Sequence, residues 1–140
     1  RQQVYADGRF TMMDDSYNAS PASMKAALDV FKGLTGKRHI AVLADMKELG
    51  ENYLAYHREV GEYAANSGVD LIVTLGEASK CLAEGVRAVK EIPVVEFLDR
   101  DEMVKYLEQE VKDGDCILFK GSNSMGLSAV ADKFAELAEK

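Results

Sequence analysis

Two stretches of the chain hold side chains that together could grip a polar ligand carrying both an amine and a carboxylate. One is acid-rich, Asp14-Asp15-Ser16-Tyr17-Asn18. The other, Lys120-Gly121-Ser122-Asn123-Ser124, sets a cation beside small polar groups, and Asp45-Met46-Lys47-Glu48 adds further charge between them. A Lys-Gly-Ser turn between an apolar strand and a helix offers backbone N–H groups to an anion, and glycine lets the backbone come close. The same residues also make an ordinary helix cap with a solvent-reaching lysine. Asp14 and Asp15 could hold ribose hydroxyls, bind a metal or merely turn the chain; an acid pair with no histidine nearby is weak support for a metal site.

Other chemistry finds no support. Gly33-Leu34-Thr35-Gly36-Lys37-Arg38 lacks the spacing of a phosphate loop and runs from helix to strand rather than strand to helix. No Gly-x-Gly-x-x-Gly follows a strand, and no Ser–His–Asp or Cys–His arrangement stands out. His57 falls on the apolar side of a helix and reads as a packed residue with one satisfied nitrogen. Tyr5, Tyr53, Tyr56 and Tyr63 read as core or core edge, and Cys81 and Cys116 as small hydrophobes. The residues by themselves therefore describe an α/β domain with a polar ligand edge that lacks the parts for independent catalysis.

The elements that must carry those residues follow from hydrophobic period and turn chemistry. Asp7-Gly8 between Val4-Tyr5 and the stretch from Phe10 to Met13 predicts a tight antiparallel hairpin. Ser20-Pro21 starts a helix whose Met24, Ala27, Leu28 and Phe31 share one face. Apolar runs at residues 40–44, 71–75, 93–97 and 116–119 read as strands, the first two buried on both faces. Helical patterns alternate with them: Tyr53, His57, Val60 and Ala64; Leu82, Val86 and Val89, weakened by Gly85; Met103, Leu107 and Val111 behind an Asp99–Glu102 capping box; and Leu127, Val130, Ala131 and Phe134 with Leu137 or Ala138. Strand–helix alternation implies a Rossmann-like, mostly parallel sheet with helices on both faces and an N-terminal antiparallel hairpin. In such sheets ligands bind beyond the carboxyl ends of the strands, which is where the polar stretches fall.

The 140 residues suit a single domain, 47% hydrophobic and 29% charged. A net charge of −7 argues against non-specific nucleic-acid binding. No apolar run approaches the roughly 20 residues of a membrane helix, and no signal peptide opens the chain. Two isolated cysteines exclude a disulfide framework and fit a reducing cytoplasm. A first residue of Arg1 reads as a piece excised from something longer.

The polar stretches also carry a resemblance. Residues 14–24, DDSYNASPASM, are similar to the Asp-Asp-x-Tyr-Asn-Ala-Asn-Pro-x-Ser-Met motif of the MurF group in the Mur ligase family. Residues 41–50, AVLADMKELG, resemble its Val-Leu-Gly-Asp-Met-x-Glu-Leu-Gly, His57-Arg58-Glu59-Val60-Gly61 its His-x-x-Val-Gly, and Lys120-Gly121-Ser122-Asn123 its Lys-Gly-Ser-Arg. The motifs keep the family's order and span nearly the whole chain, as its C-terminal domain. The resemblance implies that the UDP-sugar domain and the central ATPase domain lie outside this chain, the latter being this domain's partner and the main holder of ATP and Mg2+. It implies ligation of D-alanyl-D-alanine to UDP-N-acetylmuramoyl-tripeptide through an acyl phosphate, ending in amide, ADP and phosphate, with the C-terminal domain closing over the nucleotide and presenting the amine. It assigns Asp15, Arg1, Tyr17 and Asn18 to the nucleotide, and Lys120, Ser122, Asn123 and Asp45 to the incoming substrate. It gives this domain no catalytic residue and no metal ligand. Three positions depart from the pattern: Ser20 for Asn, Ala44 for Gly, and Asn123 for an Arg whose forked cation could grip a carboxylate. Alternative readings are another Mur or folylpolyglutamate ligase, and a stand-alone α/β module such as a receiver. The receiver needs an acceptor Asp after its third parallel strand, and Thr74-Leu75-Gly76 supplies none.

Overall fold

A computed structural model describes residues 2–140. Its elements are strands β1 (Gln3–Tyr5), β2 (Thr11–Asp14), β3 (Arg38–Ala44), β4 (Leu71–Leu75), β5 (Val94–Phe97) and β6 (Asp115–Lys120), and helices α1 (Pro21–Lys32), α2 (Tyr53–Ala65), α3 (Ser79–Val89), α4 (Arg100–Glu110) and α5 (Leu127–Ala138), with a 3₁₀ turn at Asn123–Met125. The six strands lie in the order β1-β2-β6-β3-β4-β5. Only β1 and β2 pair antiparallel; every other neighbouring pair is parallel. The expected α/β architecture is therefore the observed one.

Side-chain alternation along the strands divides the core. Met13, Ala41, Leu43, Ile72 and Leu118 face α1, α2 and α3. Met12, Ile40, Val42, Val73, Ile117 and Phe119 face α4 and α5. The first helix is held as its sequence predicts. Ser20 accepts from the Ser23 N–H, Ser23 returns the contact, Pro21 begins the helix, and Met24, Ala27, Leu28 and Phe31 are buried. Asp99 caps α4 by accepting from the Glu102 N–H.

Three local expectations change. The hairpin is present, but residues 6–10 form a wider connection, and Gly8 does not take a positive φ. Glycine is needed there for proximity: a Cβ would lie 2.6 Å from the Ala138 carbonyl oxygen. Gly85 is likewise a packing residue, since its added Cβ would sit 2.2 Å from the Arg58 oxygen and one on Gly61 would sit 1.9 Å from the Leu82 oxygen. The two glycines bring the backbones of α2 and α3 together, a gain that outweighs their poor helix propensity. Tyr53 and Tyr56 lie on the exposed side of α2, and Tyr5 is also exposed.

Candidate functional site

Placing β6 between β2 and β3 brings three polar stretches to one edge of the sheet. Asp14 is level with Phe119, Leu43 with Lys120, and Ala44 with Leu75. The chain beyond each strand emerges at the same end, and the sheet ladder continues into it: the Asp15 N–H donates to the Phe119 carbonyl at 3.0 Å, and the Asp45 N–H to the Leu75 carbonyl at 3.2 Å. Residues 14–18, 45–48 and 120–124 thus form one platform, as expected of strand carboxyl ends.

Within that platform the charged groups are unevenly exposed. Lys120 is turned inward, its side chain 2% exposed, and its Nζ lies 3.0 Å from Asp15 Oδ2. The same ammonium donates to the Asp15 carbonyl at 3.3 Å and the Asn18 carbonyl at 2.8 Å. Burial of this cation is sustained by a full carboxylate and two carbonyls. Asp45 is also buried. It accepts from the Ala78 N–H at 3.3 Å, the Ser79 N–H at 2.8 Å and the Ser79 hydroxyl at 2.7 Å, so it caps the start of α3 from a neighbouring loop. Gly76, at φ 121°, leaves room for it: a Cβ there would meet the Asp45 carboxylate at 2.3 Å.

Ser122 ties two loops together. Its N–H donates to the Asp45 carbonyl at 3.0 Å, and its Oγ accepts from the Lys47 N–H at 2.8 Å. Between Lys120 and Ser122, Gly121 packs against Ala44, whose methyl group would lie 2.6 Å from a Cβ on Gly121. The methyl of Ala44 is accommodated by the glycine facing it. Beyond Ser122 the backbone makes a 3₁₀ turn and a left-handed Gly126 before α5 begins at Leu127. The N–H groups of Met125 and Gly126 are taken by the Ser122 and Asn123 carbonyls. The α5 N-terminus therefore stands one turn further along than the Lys-Gly-Ser spacing suggested.

The nucleotide-side and substrate-side candidates interleave. Tyr17, 68% exposed, and Asn123 line one small cleft of about 160 Å³ together with Asp14 and Ser16. Asp15, Asn18 and Lys120 line another of about 320 Å³ with Ser20 and Ser23 of the α1 cap. Asp45 borders a third, about 710 Å³, between residues 45–54 and the start of α3. Arg1 lies outside the described residues. His57, which sequence reasoning left without a role, holds the middle loop. Its Nε2 accepts from the Met46 N–H at 2.9 Å, and its Nδ1 lies 2.6 Å from the Tyr53 carbonyl, so both nitrogens are satisfied and Nδ1 carries the proton. No local spacing could reveal the Asp45–Ser79 contact, because it depends on β3 lying beside β4, whereas the His57–Met46 contact forms within the 11 residues that lead from β3 into α2. Among the described residues no three His, Cys, Asp or Glu side chains converge as a metal cage.

The family model of the Mur ligase, glutamate ligase domain, matches residues 1–123. This chain belongs to the Mur ligase family. It is a C-terminal domain of the MurF type. The UDP-N-acetylmuramoyl-tripeptide--D-alanyl-D-alanine ligase of Haemophilus influenzae is 40% identical over 125 residues, covering 85% of this chain and 26% of that protein. The enzyme of the same name from Bacillus subtilis is 30% identical over 135 residues, covering 95% of this chain and 30% of that protein. The crystal structure of MurF ligase from Thermotoga maritima in complex with ADP matches with a TM-score of 0.77 and 26% identity over 96% of this chain and 30% of that one. A crystal structure of MurF from Acinetobacter baumannii matches with a TM-score of 0.81, 25% identity and the same coverage. The chain therefore spans 26–30% of the length of the curated relatives quoted. Among the described residues no helix is long and apolar enough to cross a membrane.

Proposed function

We propose that this domain is the C-terminal part of an ATP-dependent amide-bond ligase that adds D-alanyl-D-alanine to UDP-N-acetylmuramoyl-tripeptide in the cytoplasm, during peptidoglycan synthesis. The observation that carries the reading is the shared edge, where the stretches 14–18, 45–48 and 120–124 are wired together by Lys120 and Ser122. In that reaction ATP activates the tripeptide carboxylate as an acyl phosphate, and attack by the dipeptide amine ends in the amide, with ADP and phosphate released. The role of this domain is to close over the reacting groups and hold them in line, a contribution of positioning rather than of proton transfer.

In this reading Asp15, Tyr17 and Asn18, with Arg1, meet the nucleotide. Ser122, Asn123 and the loop at Asp45 border the incoming dipeptide. Mg2+ accompanies the nucleotide phosphates and is held mainly by the central ATPase domain. The UDP-sugar domain and that central domain complete the enzyme, and the isolated C-terminal domain turns over nothing.

The test is phosphate release by the ligase that carries this domain, with D-alanyl-D-alanine and, separately, glutamate as the incoming amine. The proposal expects D-alanyl-D-alanine-dependent release by the complete enzyme and none by the domain alone. Preference for glutamate would instead support the folylpolyglutamate or another Mur reading.

A further inference from the structure

Lys120 has the residue type of a ligand-gripping cation but not the placement of one. Its side chain lies beneath residues 15–18, and the three hydrogens of its ammonium face three acceptors: Asp15 Oδ2 at 3.0 Å, the Asp15 carbonyl at 3.3 Å and the Asn18 carbonyl at 2.8 Å. Two of those acceptors are backbone, so the contact fixes the path of the loop and not only one side chain. Two residues further on, Ser122 makes a matching pair of contacts to the other loop, to the Asp45 carbonyl and from the Lys47 N–H. Gly121, pressed against Ala44, joins the two staples through a short, tightly packed segment. His57 braces the far side of the second loop through the Met46 N–H.

We propose that Lys120 is a positioning residue that never touches ligand, and that the Lys120-Gly121-Ser122 segment couples the loop at 14–18 to the loop at 45–47. Naming these loops the nucleotide and dipeptide sides rests on the function proposed above; the coupling itself does not. A shift in the path of residues 15–18 changes the acceptors of Lys120, moves the end of β6, and reaches Lys47 through the Ser122 hydroxyl. The same chain runs in reverse, since coupling between two equilibria is reciprocal. Closure over one ligand thereby prepares the platform for the other.

The first test uses the unmodified domain. Acetic anhydride labelling read by mass spectrometry measures access to each lysine amine. Lys47, whose side chain is 50% exposed, labels freely. Lys120 labels at least about 100-fold more slowly, because each event waits for the loop to open locally. Labelling of Lys120 at the rate of Lys47 overturns the positioning role.

The second test is a reciprocal pair of variants read by amide hydrogen exchange without ligand. In Lys120→Met, exchange accelerates about 5- to 100-fold at Asp15 and Ser16, whose N–H groups are hydrogen-bonded, and also at Lys47, the span expected for coupled sites. Ile72 and Val73 in the sheet stay protected and report an intact fold. Ser122→Ala leaves the Lys120–Asp15 pair in place, so it serves if Lys120→Met does not fold. It accelerates exchange at Lys47 and at Asp15 and Ser16. Effects that stop at the loop nearest the substitution overturn the coupling. Ligand-induced shifts on another face would sink the proposed function while leaving both of these tests standing.

Discussion

Replacing His57 by Phe separates the shape of that side chain from its hydrogen bonds. The ring is wholly buried, and Met46, whose N–H it accepts, is 2% exposed. Phe fills most of the same space but offers no acceptor. The Met46 N–H is then buried without a partner, at a cost of roughly 1–3 kcal/mol. The Tyr53 carbonyl suffers less, because within α2 it still accepts the backbone N–H of residue 57; losing its second contact costs about 1 kcal/mol. The more apolar ring returns about 1 kcal/mol of transfer free energy. The net expectation is a loss of roughly 1–3 kcal/mol, which lowers the melting temperature by roughly 3–10 °C in a domain of this size. Urea unfolding gives the total, and amide exchange at Met46 and Lys47 gives its location. Both amides should exchange faster than global unfolding allows. An unchanged midpoint with Met46 still protected would refute the claim that His57 holds this loop.

Three further outcomes follow from other parts of the fold. Gly61→Ala drives a methyl group to 1.9 Å from the Leu82 carbonyl oxygen, a backbone atom that cannot rotate away; despite a propensity gain of about 1 kcal/mol, the net result is destabilisation of roughly 1–3 kcal/mol in a urea titration. Asp45→Ala removes three hydrogen bonds at the start of α3 and should cost roughly 2–4 kcal/mol, with exchange at Ser79 accelerated before that of the sheet. Burial first, then the charge of Asp115, pushes the Cys116 thiol up to about 11 from 9.0. Iodoacetamide at mildly alkaline pH should therefore alkylate Cys81 and spare Cys116. Because the folded value lies above the unfolded one, the associated stability is intact below pH 9 and is lost as pH rises towards 11, by about 3 kcal/mol, visible in unfolding midpoints across that range.

What could be read in the sequence was local. Ser20-Pro21, the four-residue face of α1, and the apolar runs of β3 and β4 carry their reasons within a few residues, and all appear as expected. The family motifs were likewise legible because they are contiguous. The orientation of the site's charged groups was not. Lys120 turns inward only because β6 lies beside β2, and Asp45 caps α3 only because β3 lies beside β4. Strand alternation implies a parallel sheet without stating which strands are adjacent. Gly8 illustrates the same limit: beside Asp7 it suggests a tight turn, whereas the contact that requires glycine is with Ala138, at the other end of the chain.

The most direct test of the central claim is an amide NMR titration of this domain with ATP and, separately, with D-alanyl-D-alanine. The account predicts ATP-dependent shifts at residues 14–18 and dipeptide-dependent shifts at residues 45–47 and 122–124, each echoed more weakly in the other set. Shifts confined to the opposite end of the sheet, around Arg38 at the start of β3, would contradict it.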